Sequence, residues 1–285
     1  MNILLVAAVL PALALMVYVY RKDTVEKEPP RLIIRLFVLG MIAGPLAAFV
    51  ETLAFETFEA IFEPSTLLLV LEYFIGVAAV EEGFKYLFLS TIRKNPEFNY
   101  VFDGIVYAVA VALGFAALEN ILYVFEGGLE VAAMRAIFSV PGHCADGVVM
   151  GCFFGLARQH QLHGRKAQTS TYYLLAFVLP TIEHGFYDTA LSTESDVLAL
   201  VAMAFQLAFI VFAAILVKRI SAKDAPVHPE TLTRTTAYQQ PYGQQQPPYG
   251  QSQSPYGQSQ SPYGQQQPPQ QPNATQNGNT WPPQQ

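Results

Sequence analysis

Between residues 2 and 217 the sequence keeps returning to runs of about twenty weakly charged residues, the length of helix that crosses a bilayer. These runs cover 2–20, 32–50, 66–92, 102–125, 132–157, 172–191 and 197–217. In hydrocarbon each backbone polar group must be satisfied within the protein, so such segments become helices. Composition agrees: 52% of the 285 residues are hydrophobic and only 13% are charged, whereas soluble domains carry roughly 25% charge. The expected fold is therefore all-α, a polytopic membrane helical bundle of about seven transmembrane helices. The bundle is expected over residues 1–222, with a disordered tail over 223–285. The first run lacks a basic leader, ends in Val17-Tyr18-Val19-Tyr20 and is followed by Arg21-Lys22, so it reads as a retained anchor.

The cations set an orientation. Of the 16 Lys and Arg, all but Arg35, Lys85 and Arg135 follow the first, third, fifth or seventh run or precede the next. The alternate loops carry acids such as Glu51, Glu56, Glu59, Glu63, Glu126, Glu130, Glu194 and Asp196. The positive-inside rule makes the basic side cytoplasmic, with the amino end outside and the tail inside the cell membrane. The stretch 51–63 is acidic and amphipathic and reads as a short external surface helix. A net charge of −6 excludes nucleic acid as a partner, which would require a concentrated basic face. Cys144 and Cys152 lie in one apolar run, where two buried thiols are a better reading than a disulfide or a cysteine metal knuckle.

Beyond Ala225 the text changes to Gln, Pro, Ser, Gly and Tyr, and Pro-Tyr-Gly-Gln begins at Pro241, Pro248, Pro255 and Pro262. No core can be built from this composition. It is read as a solvated low-complexity tail, with weak self-association or a cytoplasmic partner as the alternative.

Ionisable groups inside the runs are the informative anomaly. At bilayer depth each costs at least ~2.5–3.5 kcal/mol and so faces a partner or a cavity. The third run carries Glu81, Glu82 and Lys85; the fourth, Glu119 and Asn120, with Asp103 at its edge; the fifth, Arg135, His143 and Asp146; the sixth, Glu183, His184 and Asp188. Glu81, His143 and His184 all fall near mid-helix, so neighbouring antiparallel helices could bring them to one level. Lys85 stands four residues after Glu81 and three after Glu82, and can pair with either. Two close carboxylates cannot both ionise cheaply, which leaves one as a base. Asp188, four residues after His184, can fix the imidazole tautomer. Glu119 supplies another carboxylate, and Asn120 a carboxamide able to donate to an oxyanion. Gly147, Gly151 and Gly155 form a small-residue face for close helix packing.

Four blocks make the chain resemble the PrsW family of intramembrane proteases. They are Glu81-Glu82-Gly83-Phe84-Lys85; Phe102-Asp103-Gly104-Ile105-Val106-Tyr107, continuing to Gly114-Phe115-Ala116-Ala117-Leu118-Glu119-Asn120; Arg135 through Pro141-Gly142-His143; and His184-Gly185-Phe186-Tyr187-Asp188. The family is similar to the wider CAAX-protease and bacteriocin-processing superfamily, whose paired glutamates and two later histidine motifs correspond here to Glu81-Glu82, His143 and His184…Asp188. The last motif often ends in Asn, and Asp188 departs from that. The resemblance implies an intramembrane endopeptidase acting on a membrane-protein substrate, with a single-span anti-sigma factor as the family's best-known kind. The family is grouped with metallopeptidases, while its superfamily has also been argued to contain glutamate proteases.

Two mechanisms stay open on the residues. In one, His143, His184 and a glutamate hold Zn²⁺; in the other, the glutamate pair alone is the general base. Lys85, Glu119, Asn120 and Asp188 are the supporting residues in both. Two readings from other classes compete: a proton-coupled transporter or proton relay, which would use the same acids and histidines, and a non-catalytic membrane scaffold acting through its tail.

Overall fold

The computed structural model of the protein describes residues 3–228. The expectations for the tail beyond that point, its repeats included, lie outside the described residues. The chain is built from helices α1 (Ile3–Lys22), α2 (Pro30–Ile61), α3 (Thr66–Leu71), a π-helical segment (Glu72–Ala78), α4 (Ala79–Leu89), α5 (Val101–Ile137), α6 (Ser139–Leu162), α7 (Lys166–Leu191) and α8 (Asp196–Ala222). Local chemistry sets several of the ends. Pro30 opens α2, where its missing N–H is harmless. Ser65 caps α3 by accepting from Leu68 N at 3.2 Å. Asp103 caps α5, its Oδ2 accepting from Asn99 N at 2.8 Å and Tyr100 N at 2.6 Å.

Helix α5 is the central post. Residues 101–117 are buried without interruption, and the helix packs most heavily on α6, then on α2 and α1. Small residues permit this. A methyl group added at Gly104 would meet Gly151 O at 2.6 Å, and one at Gly151 or Gly155 would run into the α5 backbone at Gly104 or Val101. Gly40 of α2 and Gly114 of α5 are likewise each pressed against the other helix's backbone. Apolar attraction between helices vanishes in lipid, so close backbone contact takes over as the packing force. The outward faces are apolar: Ile34, Val38 and Phe49 on α2, and Val197, Leu200 and Val211 on α8, are exposed.

This is a multi-pass membrane protein. The stretches Ile3–Lys22, Pro30–Ile61, Val101–Leu162 (which holds α5 and α6) and Asp196–Ala222 are long and apolar enough to cross a membrane. The expected crossing through α3–α4 is divided by the π-helical segment into helices too short for that measure, and α7 falls short because it carries polar side chains.

The basic loops gather at one end of the bundle. Val101 N donates to Ala225 O at 2.9 Å, Val227 N to Asn99 O at 2.8 Å, Gln159 Nε2 to Pro226 O at 3.1 Å and Asn99 Nδ2 to Glu26 Oε2 at 2.9 Å. Segments after α1, before α5, at the end of α6 and after α8 thus share one face.

One boundary differs from expectation. The stretch 51–63 is no separate surface helix, because α2 continues unbroken to Ile61, and acidic side chains on its exposed face read as a separate segment in the sequence. The turn expected near Glu126 and Glu130 is present, reduced to a break at Gly128 where two helical stretches of α5 meet and where a φ of 74° suits glycine.

Candidate active site

The site is assembled from α4, α5, α6 and α7. The π-helical segment precedes it directly: Ala79 N bonds to Phe74 O, five residues back. A wide turn inserts one residue and rotates the helix beyond it by about 100°. Helix α4 then presents Glu81, Glu82 and Lys85 as buried groups. Phe74 in the same segment lies against Gly185, where an added methyl would meet the ring at 2.6 Å. That contact draws α7 close and sets His184 beside α4.

Lys85 is the hub. Its Nζ lies 2.8 Å from Glu82 Oε1, 3.1 Å from Glu81 Oε2 and 3.3 Å from His143 Nδ1, and stands 4.1 Å from the Phe115 ring centre. His184 Nδ1 is 3.1 Å from Glu82 Oε1, and its Nε2 is 3.1 Å from Asp188 Oδ2 and 3.8 Å from Glu81 Oε2. The two imidazoles stand edge to face with centres 5.4 Å apart. His143 Nε2 meets Glu119 Oε2 at 2.9 Å, and the same oxygen takes Arg135 Nη2 at 2.8 Å. All these groups except Glu119, Arg135 and Asp188 are fully buried.

A cavity of about 940 Å³ opens on this cluster. Glu81, Glu119, His143, His184 and Asp188 line it, whereas Glu82 and Lys85 stand behind its wall. The other lining groups include Glu51, Tyr73, Glu126, Met134 and Leu191, which come from the helix ends toward the acidic loops. The cavity therefore lies in the half of the bundle away from the basic face. Asp146 and Glu183 also reach it, and each keeps one carboxylate oxygen without a hydrogen-bond partner.

Asn120 is occupied elsewhere. Its Nδ2 donates to Ala8 O at 2.6 Å and its Oδ1 accepts from Arg135 Nε at 2.8 Å, and the residue does not line the cavity. The donor that the sequence offers to an oxyanion is thus engaged with α1. Arg135, an isolated cation of the fifth run, clamps Glu119 and Asn120. The small-residue block ending at Glu119 was the signal available, but no spacing rule links it to Arg135.

The residues fit a metal. One donor atom each from Glu81, Glu82, His143 and His184 can be chosen so that all lie within 4.8 Å of one another. Glu82 Oε2 is buried without any hydrogen-bond partner. Two imidazoles with carboxylates are a donor set suited to zinc. Lys85 Nζ already brings one positive charge among the same donors.

Comparison with known proteins bears on this arrangement. Residues 28–217 match the PrsW family intramembrane metalloprotease model. The protein named Protease PrsW of Oceanobacillus iheyensis is 39% identical over 196 residues, covering 68% of this chain and 85% of that protein. Those of Geobacillus kaustophilus and Bacillus subtilis are 37% and 34% identical, covering 65% and 67% of this chain and 78% and 83% of theirs. No solved structure matches the chain.

Proposed function

The chain belongs to the PrsW family of intramembrane metalloproteases and is an intramembrane protease; from that premise we propose that Glu81 is its general base and that His143 and His184 complete the catalytic centre. The observation that carries this reading is the split within the glutamate pair. Glu81 lines the cavity while Glu82, wholly buried, is held by Lys85 and His184 behind it. A general base must reach the proton it removes, and of the two only Glu81 has that access.

The reaction follows from these contacts. Glu81 takes a proton from a water in the cavity, and the oxygen attacks the carbonyl carbon of a peptide bond lying against α4 and α7. The Lys85 ammonium behind the wall favours the negative charge of the oxyanion that forms in the cavity. Glu81 then returns its proton to the departing nitrogen, the C–N bond breaks, and an acid and an amine leave. Asp188 holds His184 through Nε2, and Glu119 holds His143 through Nε2, so each imidazole has a fixed orientation. Glu82, His143 and His184 are the residues that would hold a zinc ion, leaving Glu81 free as the base; when bound, the ion would supply Lewis acidity toward the carbonyl oxygen.

The substrate is a membrane protein, and we assign a single-span protein of the anti-sigma type. With the basic face cytoplasmic, the cavity lies in the outer half of the bilayer and the cut falls there. The test is to reconstitute the protein in liposomes with a panel of single-span membrane proteins and to map product termini by mass spectrometry. Cuts at the outer end of the substrate span are expected. Cuts confined to cytoplasmic segments, or none across the panel, would overturn the assignment.

A further inference from the structure

A second cluster of acids sits at the opposite, basic end. Asp23 and Glu28 come from the segment between α1 and α2, and Asp103 from the first turn of α5. All three are only 1% exposed. One oxygen from each can be chosen so that the set lies within 4.8 Å.

The hydrogen bonding of this cluster is incomplete. Both carboxylate oxygens of Asp23 are buried and lack a well-formed hydrogen bond, facing only the backbone amides of Glu26 and Glu28, and Asp103 Oδ1 lacks one too, facing the Glu28 carboxylate. The other Asp103 oxygen accepts from the Asn99 and Tyr100 amides, and Glu28 accepts from the Tyr107 hydroxyl. The nearby cation is otherwise engaged: Lys27 Nζ donates to the backbone carbonyls of Tyr20 and Asp23. No Lys or Arg among the described residues forms an ion pair with any of the three acids. Three buried carboxylates facing one another with open lone pairs are strongly unfavourable unless a positive charge joins them.

The geometry points to a second metal site, in which Asp23, Glu28 and Asp103 bind one hard divalent cation at the basic end of the bundle. The donors are all oxygen, which selects magnesium, manganese or calcium over zinc. Asp23 and Asp103, whose buried oxygens lack well-formed hydrogen bonds, are the anchoring ligands. Asp103 also lies at a helix N-terminus, so its charge is already favoured there. The bound ion would tie the α1–α2 segment to the foot of α5, the helix that carries Glu119 further along. It acts as a staple, remote from the peptide-cutting cavity.

The test uses the full chain in detergent, with Mn²⁺ as the probe and zinc present to occupy the Glu–His cluster. Free Mn²⁺ is counted by EPR while thermal melts are recorded in parallel. One Mn²⁺ per chain is expected in the wild type and in His143→Ala. Binding should weaken at least tenfold in Asp23→Asn and in Glu28→Gln. Melting separates a staple from a mere charge cluster: without Mn²⁺, Asp23→Asn should melt at or above wild type, and with Mn²⁺ the order should reverse. Equal Mn²⁺ binding in wild type and both acid variants, or loss of binding in His143→Ala alone, would overturn the site. An absence of Mn²⁺ binding to wild type would show that protons alone neutralise the cluster, and would overturn it too.

Discussion

Lys85 Nζ stands 3.3 Å from His143 Nδ1, 58 residues away in sequence, while also contacting both glutamates of its own helix. The ammonium thus links α4 to α6 and shares the donors that a zinc ion would use. Removing it leaves two buried carboxylates facing each other, and breaking a buried pair from one side costs about 3–5 kcal/mol. Lys85→Met is expected to lower the melting temperature sharply, and added zinc should recover part of the loss by replacing the charge. A variant that melts like the wild type would show that the ammonium does not hold the cluster together.

Asn120 separates a structural role from a catalytic one. Its amide bridges Ala8 O and Arg135 Nε away from the cavity. Asn120→Leu should lose about 1–3 kcal/mol of stability by stranding those partners, while cleavage per folded molecule stays near wild type. Removal of a true oxyanion donor would cost about 10²–10³ in rate. A loss of that size in folded Asn120→Leu would return the carboxamide to the reaction.

The glycines of α4 and α6 should respond in opposite ways. A methyl group at Gly151 meets the α5 backbone at Gly104 and Ile105, whereas one at Gly83 finds its nearest neighbour, Phe177, at 3.9 Å. Gly151→Ala is expected to destabilise by about 1–3 kcal/mol through overpacking. Gly83→Ala should be neutral, or stabilising by up to about 1 kcal/mol through helix propensity. Unfolding in mixed detergent, followed by circular dichroism, measures both.

Much of this architecture was readable in the sequence. Run lengths predicted the helical membrane bundle, and the alternation of basic and acidic loops predicted which loops share a face, as the Asn99–Val227 and Gln159–Pro226 contacts show. The spacing of Glu81, Glu82 and Lys85 was equally plain, because residues three and four apart on a helix are neighbours. Other features were hidden for physical reasons. The π-helical turn before Glu81 carries no composition cue. Asp23 and Glu28 lie among ordinary loop charges, and only tertiary packing buries them. Arg135 finds Asn120 because α5 breaks at Gly128 and folds back, which no local rule anticipates.

At the basic end, Asp224 offers a test by pH. Its Oδ1 accepts from Phe102 N at 2.9 Å, and burial pushes its carboxyl from the usual 3.8 up to about 6. The folded state therefore holds this proton more tightly than the unfolded one. The associated stabilisation is complete below the unfolded value near 3.8 and is lost as pH rises through about 6. Asp224→Asn keeps the acceptor and cannot ionise. Its melting temperature relative to wild type should rise between pH 4 and pH 7, in melts run at roughly half-unit steps. A constant difference across that range would mean that Asp224 is solvated in the folded protein.

The most direct test of the catalytic centre is the single-turnover cleavage rate of Glu81→Gln against wild type in liposomes, on one substrate and at matched folded protein. Loss of a general base should lower the rate by about 10²–10⁴, with the variant still melting cooperatively. If Glu81→Gln cuts at the wild-type rate, the carboxylate facing the cavity is not the base and the proposed catalytic centre is wrong.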